Sequence, residues 1–133
     1  MSGEGLVRLR GILMGFAGLV CLAYGVLAVA TGVPNPMPIY IPGAAGIAAT
    51  IAIYMAFWQS GKASRQAASD EMFNLEMNGA VKVGFWGGIA LFPLFAPFLY
   101  ASWITFDVAF AAIGTLMPAA YLLTFAVSTL RGL

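Results

Sequence analysis

Long uncharged apolar stretches alternate with short polar patches along this chain. The first stretch runs from Gly11 to Gly32 and is closed by Val33-Pro34-Asn35-Pro36-Met37-Pro38. Proline there removes backbone donors and pushes its predecessor out of helical geometry. A second stretch runs from Tyr40 to Trp58, with Pro42 admissible in its first turn. The third covers Gly79 to Tyr100 and the fourth Asp107 to Leu130. Each has about the 20 residues that a helix rising about 1.5 Å per residue needs to cross a hydrocarbon core roughly 30 Å thick. The pattern predicts an all-α integral membrane protein, a single membrane domain over residues 1–133. Its four transmembrane helices form an up-down bundle, with a polar loop over 59–78. The turn from Ala101 to Phe106 is short, so the third and fourth helices are expected to be antiparallel neighbours.

Within the spans, small residues fall in register. Gly11, Gly15, Gly18, Leu22, Gly25, Val29 and Gly32 are spaced 4, 3, 4, 3, 4, 3, a heptad stripe dominated by glycine. Ala45, Ala49, Ala52 and Ala56 repeat the 4, 3, 4 spacing in the second span, and Gly84 and Gly88 stand four apart in the third. Lipid tails are as apolar as leucine, so helices in a bilayer associate through close packing, which small residues permit. A 3.5-residue period implies left-handed crossing. These seams either hold the chain's own helices together or, in the case of the glycine stripe, face another chain.

Composition strengthens the class assignment. Hydrophobic residues make up 62% of the chain and charged residues 8%, against about 45–50% and about 25% in soluble domains. All six basic residues (Arg8, Arg10, Lys62, Arg65, Lys82 and Arg131) fall at the N-terminus, in the middle segment, at the C-terminus or at the adjoining helix ends. Four spans put those regions on one side, and the other two loops hold no Lys or Arg. The positive-inside rule then places both termini and the middle loop in the cytoplasm. Trp58 and Trp86 are expected near the inner interface, and Tyr40, Tyr100 and Trp103 near the outer one. The expected location is a bacterial inner membrane, crossed several times. Ala28-Val29-Ala30 could pass for a signal-peptidase site, but the apolar run before Pro34 is longer than the roughly 7–15 residues of a secretory core, so it reads as a retained helix. A bias this strong also disfavours exporters and channels that insert in both orientations.

Candidate chemistry is sparse. The chain has no histidine and one cysteine, Cys21, which removes the commonest metal ligand and any internal disulfide. No carboxylate pairs with a nucleophile, so neither catalytic nor cofactor nor metal residues are expected, and a net charge of +1 gives no argument for nucleic acid. Pro93, Pro97 and Pro118 lie inside spans and free the carbonyls of Ile89, Pro93 and Gly114. They act as hinges of a transport cycle or are tolerated as ordinary membrane prolines. Asp107, the lone acid on the outer side, falls where an N-cap is preferred; intramembrane carboxylates are otherwise functional by default. Mid-membrane charge is absent, which disfavours proton-coupled transport.

In the polar segment, Gly61, Lys62, Ser64 and Arg65 read as loop, and Ser69-Asp70-Glu71 as a helix start with Ser69 as cap. Met72, Leu75, Gly79 and Val83 then follow at helical spacing, as do Phe73, Met77, Ala80 and Gly84, so an amphipathic turn or two is expected to run into the third span or to lie in the interface before it. The stretch Asp70-Glu71-Met72-Phe73-Asn74-Leu75-Glu76-Met77-Asn78-Gly79-Ala80 resembles an element of small uncharacterised bacterial and archaeal four-helix membrane proteins. There, a cytoplasmic Asp-Glu-Arg run precedes the third span. The resemblance covers Ser69 to Ile89 and departs at Met72, where the arginine would stand. It implies topology and no activity.

The expected function is therefore non-enzymatic. One reading is an accessory or structural subunit packed in the lipid bilayer against other integral membrane subunits of a respiratory or photosynthetic complex, or against itself. The alternative is a homo-oligomeric channel or transporter for a small neutral or hydrophobic solute. Phe92, Phe95 and Phe98 could also line a groove for a pigment, quinone or lipid.

Overall fold

A computed structural model describes residues 2–38 and 40–132. Five helices follow one another: α1 (Gly3–Thr31), α2 (Tyr40–Gln59), α3 (Lys62–Ala68), α4 (Glu71–Tyr100) and α5 (Phe106–Arg131), with no strand among the described residues. Four of them, α1, α2, α4 and α5, are long and apolar enough to cross a membrane. The molecule is an all-α, multi-pass membrane bundle.

Its helices form an open row. α1 and α5 pack along each other at the centre, α2 lies against α1 on one flank, and α4 lies against α5 on the other. Neighbours in the row run antiparallel. One end of the bundle therefore gathers the start of α1, the end of α2, α3, the start of α4 and the end of α5. All six basic residues are on these segments, which make this the basic end of the molecule. The far end holds the 32–38 loop and the α4–α5 turn.

The central contact is built on small residues. A side-chain carbon added at Gly11 would lie 3.1 Å from Leu130, at Gly15 3.2 Å from Ala126, at Gly18 3.0 Å from Leu122 and Leu123, and at Gly25 2.7 Å from Leu116. Glycine is what lets the α1 backbone approach the α5 side chains this closely. α4 meets α5 in the same way: such a carbon would come within 3.0 Å of Tyr121 at Gly84 and within 2.7 Å of the Met117 sulfur at Gly88. In α2, Ala49 is buried, Ala45, Ala52 and Ala56 are half-buried, and most of the remaining surface is exposed. The glycine stripe stops before its expected end. Val29 is exposed, and Gly32 has open space around it and φ +69° as the left-handed C-cap of α1, its N–H returning to the Ala28 carbonyl. Gly32 serves a cap that L-residues rarely adopt, not the seam.

Several boundaries differ from the sequence expectation. α1 begins at Gly3, because the Ser2 side chain accepts from the Gly5 N–H and Glu4 sits in the first turn. The segment read as loop contains α3. The cap of α4 is Asp70, whose Oδ1 accepts from the Phe73 N–H at 3.2 Å, while Ser69 closes α3 through backbone bonds to Arg65 and Gln66. Thr105, and not Asp107, caps α5: its Oγ1 accepts from the Val108 N–H at 3.3 Å, and Asp107 stands in the first turn. Thr105 is extended and points its hydroxyl at the free donors, while Asp107 gains from the helix dipole without capping. Both α4 and α5 run unbroken through Pro93, Pro97 and Pro118, and all three rings are exposed.

Candidate functional site

Two places concentrate polar chemistry. The first is at the basic end, around Arg10. Arg8 and Arg10 are two residues apart and face opposite ways on α1. Arg8 is exposed and pairs loosely with Glu4 at 3.5 Å, an exposed contact that adds little. Arg10 is only 6% exposed. Its guanidinium lies 4.2 Å from the Phe73 ring centre and 5.6 Å from those of Phe57 and Phe125, and its Nη2 donates to the Ala68 carbonyl at 2.9 Å. Phe73 and Phe125 themselves meet edge to face at 5.8 Å. One side chain from α1 thus touches α2, α3, α4 and α5.

A buried cation is costly unless its charge and donors are answered. Three aromatic faces supply part of that answer through their quadrupoles, and the carbonyl supplies a hydrogen bond. Nε is buried without a partner. Glu76 and Asp70 line a cavity of about 160 Å³ beside Arg10, together with Thr129. Glu76 accepts from the Thr129 hydroxyl at 2.7 Å, and neither carboxylate comes within ion-pair distance of Arg10. The arrangement is a clamp that locks the basic end.

The sequence placed Arg10 in a flanking basic patch and missed this role. A signal was present, since Arg10, Ala17 and Tyr24 are spaced by seven and all three are buried. They run beside Gly11, Gly18 and Gly25 along the same face.

The second place is the far end. The Tyr24 hydroxyl, 1% exposed as a residue, donates to the Pro34 carbonyl at 3.0 Å and lies against the Asn35 side-chain oxygen. That contact ties the 32–38 loop back onto α1. Asp107, Phe110 and Gly114 follow at spacings of three and four and form one outward ridge of α5. A groove opens on each side of the ridge. The groove toward α1 has a volume of about 430 Å³ and includes Tyr24, Asn35 and Thr115. The groove toward α4 has about 580 Å³ and includes Phe92, Leu99, Phe106 and Ile113. Asp107, Phe110 and Gly114 belong to both. The side chains of the walls are apolar apart from Tyr24, Asn35, Thr115 and Asp107, and the Thr115 hydroxyl donates to the Ala111 carbonyl at 2.8 Å.

The candidates singled out in the sequence are therefore dispersed. Gly11, Gly15, Gly18, Gly25, Gly84 and Gly88 are at helix–helix contacts inside the chain. Ala45, Ala49, Ala52 and Ala56 form the least exposed face of α2. Pro93, Pro97 and Pro118 face outward. Among the described residues, no group of three or more His, Cys, Asp or Glu side chains is placed to hold a metal. Phe92 joins the far-end groove, whereas Phe95 is buried and Phe98 packs on Trp103 at 5.5 Å.

Comparison with known proteins finds no match: no family model, no curated protein and no solved structure matches this chain.

Proposed function

We propose that this chain is a non-enzymatic accessory subunit that packs within the bilayer against a larger inner-membrane assembly, with its basic end in the cytoplasm. The observation that carries this reading is the open row. The glycine seam is used up between α1 and α5, and the outer helices have little of their surface covered. In α2, Ile47, Ile51, Tyr54, Met55 and Trp58 are 52–82% exposed, and α4 leaves Phe85, Trp86, Ile89 and Phe92 similarly open. A bundle that worked alone gains from closing on itself, whereas a flank helix held by one alanine face is suited to sit between two neighbours.

The orientation rests on the six basic residues at one end and the positive-inside rule. The test is extraction of native membranes in a mild detergent, affinity purification of the tagged chain and mass spectrometry of what accompanies it. A stoichiometric set of larger membrane subunits is the expected result. Recovery of the chain alone, as a defined homo-oligomer, overturns the reading and favours a channel or transporter.

A further inference from the structure

We infer that the far-end grooves on the two sides of Asp107 form a binding site for a lipophilic organic cation, an ammonium or phosphonium carried on an apolar body. Three independent features converge on that chemistry.

The first is shape and wall composition. The two grooves share Asp107, Phe110 and Gly114. At Gly114 a side-chain carbon would meet nothing within 4 Å, so the ridge between them is notched. Their walls are mainly hydrocarbon and aromatic ring, which suits the body of an apolar ligand. The second is charge. Asp107 is the only Asp, Glu, Lys or Arg at this end, because all six basic residues of the chain and the other four carboxylates lie on the segments of the basic end. No cation of the chain stands beside it to compete for that charge. A full carboxylate charge also outweighs the half-charge of the α5 N-terminus beside it. The third is the aromatic lining. Phe92, Phe106 and Phe110 line the groove toward α4 together with Asp107, and aromatic faces attract cations and not anions. The two hydroxyls that line the groove toward α1 are engaged within the chain, Tyr24 donating to the 34–35 segment and Thr115 to Ala111. A cationic ligand finds a carboxylate and aromatic faces there.

The inference does not depend on the accessory-subunit reading, because it is tested on the purified chain alone. Equilibrium dialysis of the full chain in a neutral maltoside detergent, with empty micelles subtracted, measures binding of tetraphenylphosphonium. Saturable binding is expected, weakened about tenfold or more in Asp107→Asn and retained in Asp107→Glu. Tetraphenylborate, of the same shape and opposite charge, is expected not to saturate. Helicity and thermal melting of each variant report folding, and Thr105 keeps its capping role in both. Glu4→Gln, at the other end, should bind as the parent does. Equal binding by Asp107→Asn, or saturable binding of the borate, overturns the inference: the grooves would then accept apolar bodies without reading charge. No saturable phosphonium binding by the parent chain overturns it as well.

Discussion

α1 and α2 carry stripes of small residues with the same 4, 3 spacing, yet the two stripes do different work. Against α5, the α1 stripe is glycine at every close approach, and an added carbon would sit as little as 2.7 Å from its neighbour. In α2 the stripe is alanine, only Ala49 is buried, and the helix is covered on that one side. The period alone announces a packing face; the residue at each position reports how near the partner backbone comes. Glycine is costly in a helix interior, by about 0.5–1 kcal/mol relative to alanine. A run of it therefore marks a place where close approach repays that cost. Alanine marks a lighter contact. The central pair is thus the fixed part of the molecule, and α2 is an addition to it.

The largest effect expected from this contrast is at Gly25. Replacing it with leucine drives a side chain into Leu116 and Thr115, and overpacking of this kind costs about 3 kcal/mol. Gly43→Leu on α2 adds the same atoms where nothing stands within 4 Å, and surface changes away from packed features stay within about 0.5 kcal/mol. Unfolding of purified protein by denaturing detergent should separate the two variants widely. Similar stability for both would mean that the α1–α5 contact is not the tight one.

A smaller effect is expected at Arg10, where the loosely held helix is joined to the central pair. Phe57 of α2 reaches Arg10 at the same point as Phe73 and Phe125. Arg10→Ala removes the hydrogen bond to Ala68 and the cation–ring contacts, for a loss of about 2 kcal/mol. Proteolysis or hydrogen exchange should show the 59–70 segment and the end of α2 loosening first, before the α1–α5 contact. Arg10→Lys keeps the charge but not the planar face that stacks, so it should fall between parent and alanine. Uniform loosening of all helices would show that the clamp belongs to the core and does not tie α2 to it.

Sequence pattern revealed the helices better than their partners. The spans were legible because apolar runs of that length have one physical use, and the glycine register was legible because its period matches a helix face. Pattern could not say that α5 would be the facing helix, since both a neighbour and another chain would select the same glycines. α3 was invisible for another reason. Its residues, Lys62 to Ala68, carry no apolar period, and its place is set by tertiary contacts: the Ala68 carbonyl takes the Arg10 hydrogen bond, and Ala67 lies against Gly3, where an added carbon would come within 2.8 Å. Arg10 looked like a flanking charge, because composition assigns arginine to surfaces unless the seven-residue spacing to Ala17 and Tyr24 is weighed more heavily. The far-end grooves depend on a loop, two helix ends and a ridge meeting in space, and Asp107 alone carried no sign of that.

The smallest expected effect concerns α4, the other outer helix, and distinguishes it from α2. α4 is joined to α5 by packing and also by a short turn of defined geometry. Ser102 adopts φ +60°, the only positive φ outside glycine among the described residues. The Ser102 N–H returns to the Leu99 carbonyl at 3.1 Å and the Trp103 N–H to the Phe98 carbonyl at 2.9 Å. This is the paired hydrogen bonding of a Schellman ending, with Phe98 and Trp103 supplying the apolar contact across it. Serine occupies a position that glycine fills without steric penalty, and the left-handed conformation costs an L-residue roughly 1–2 kcal/mol. Ser102→Gly relieves that cost but adds chain entropy to the unfolded state, so a net gain of about 0.5 kcal/mol is expected, read as a small rise in the melting temperature of the detergent-solubilised protein. Ser102→Val, β-branched and held at the same φ, should fall below the parent. If glycine lowers stability, the turn does not hold the left-handed conformation, and α4, like α2, is fixed to the central pair by its packing face alone.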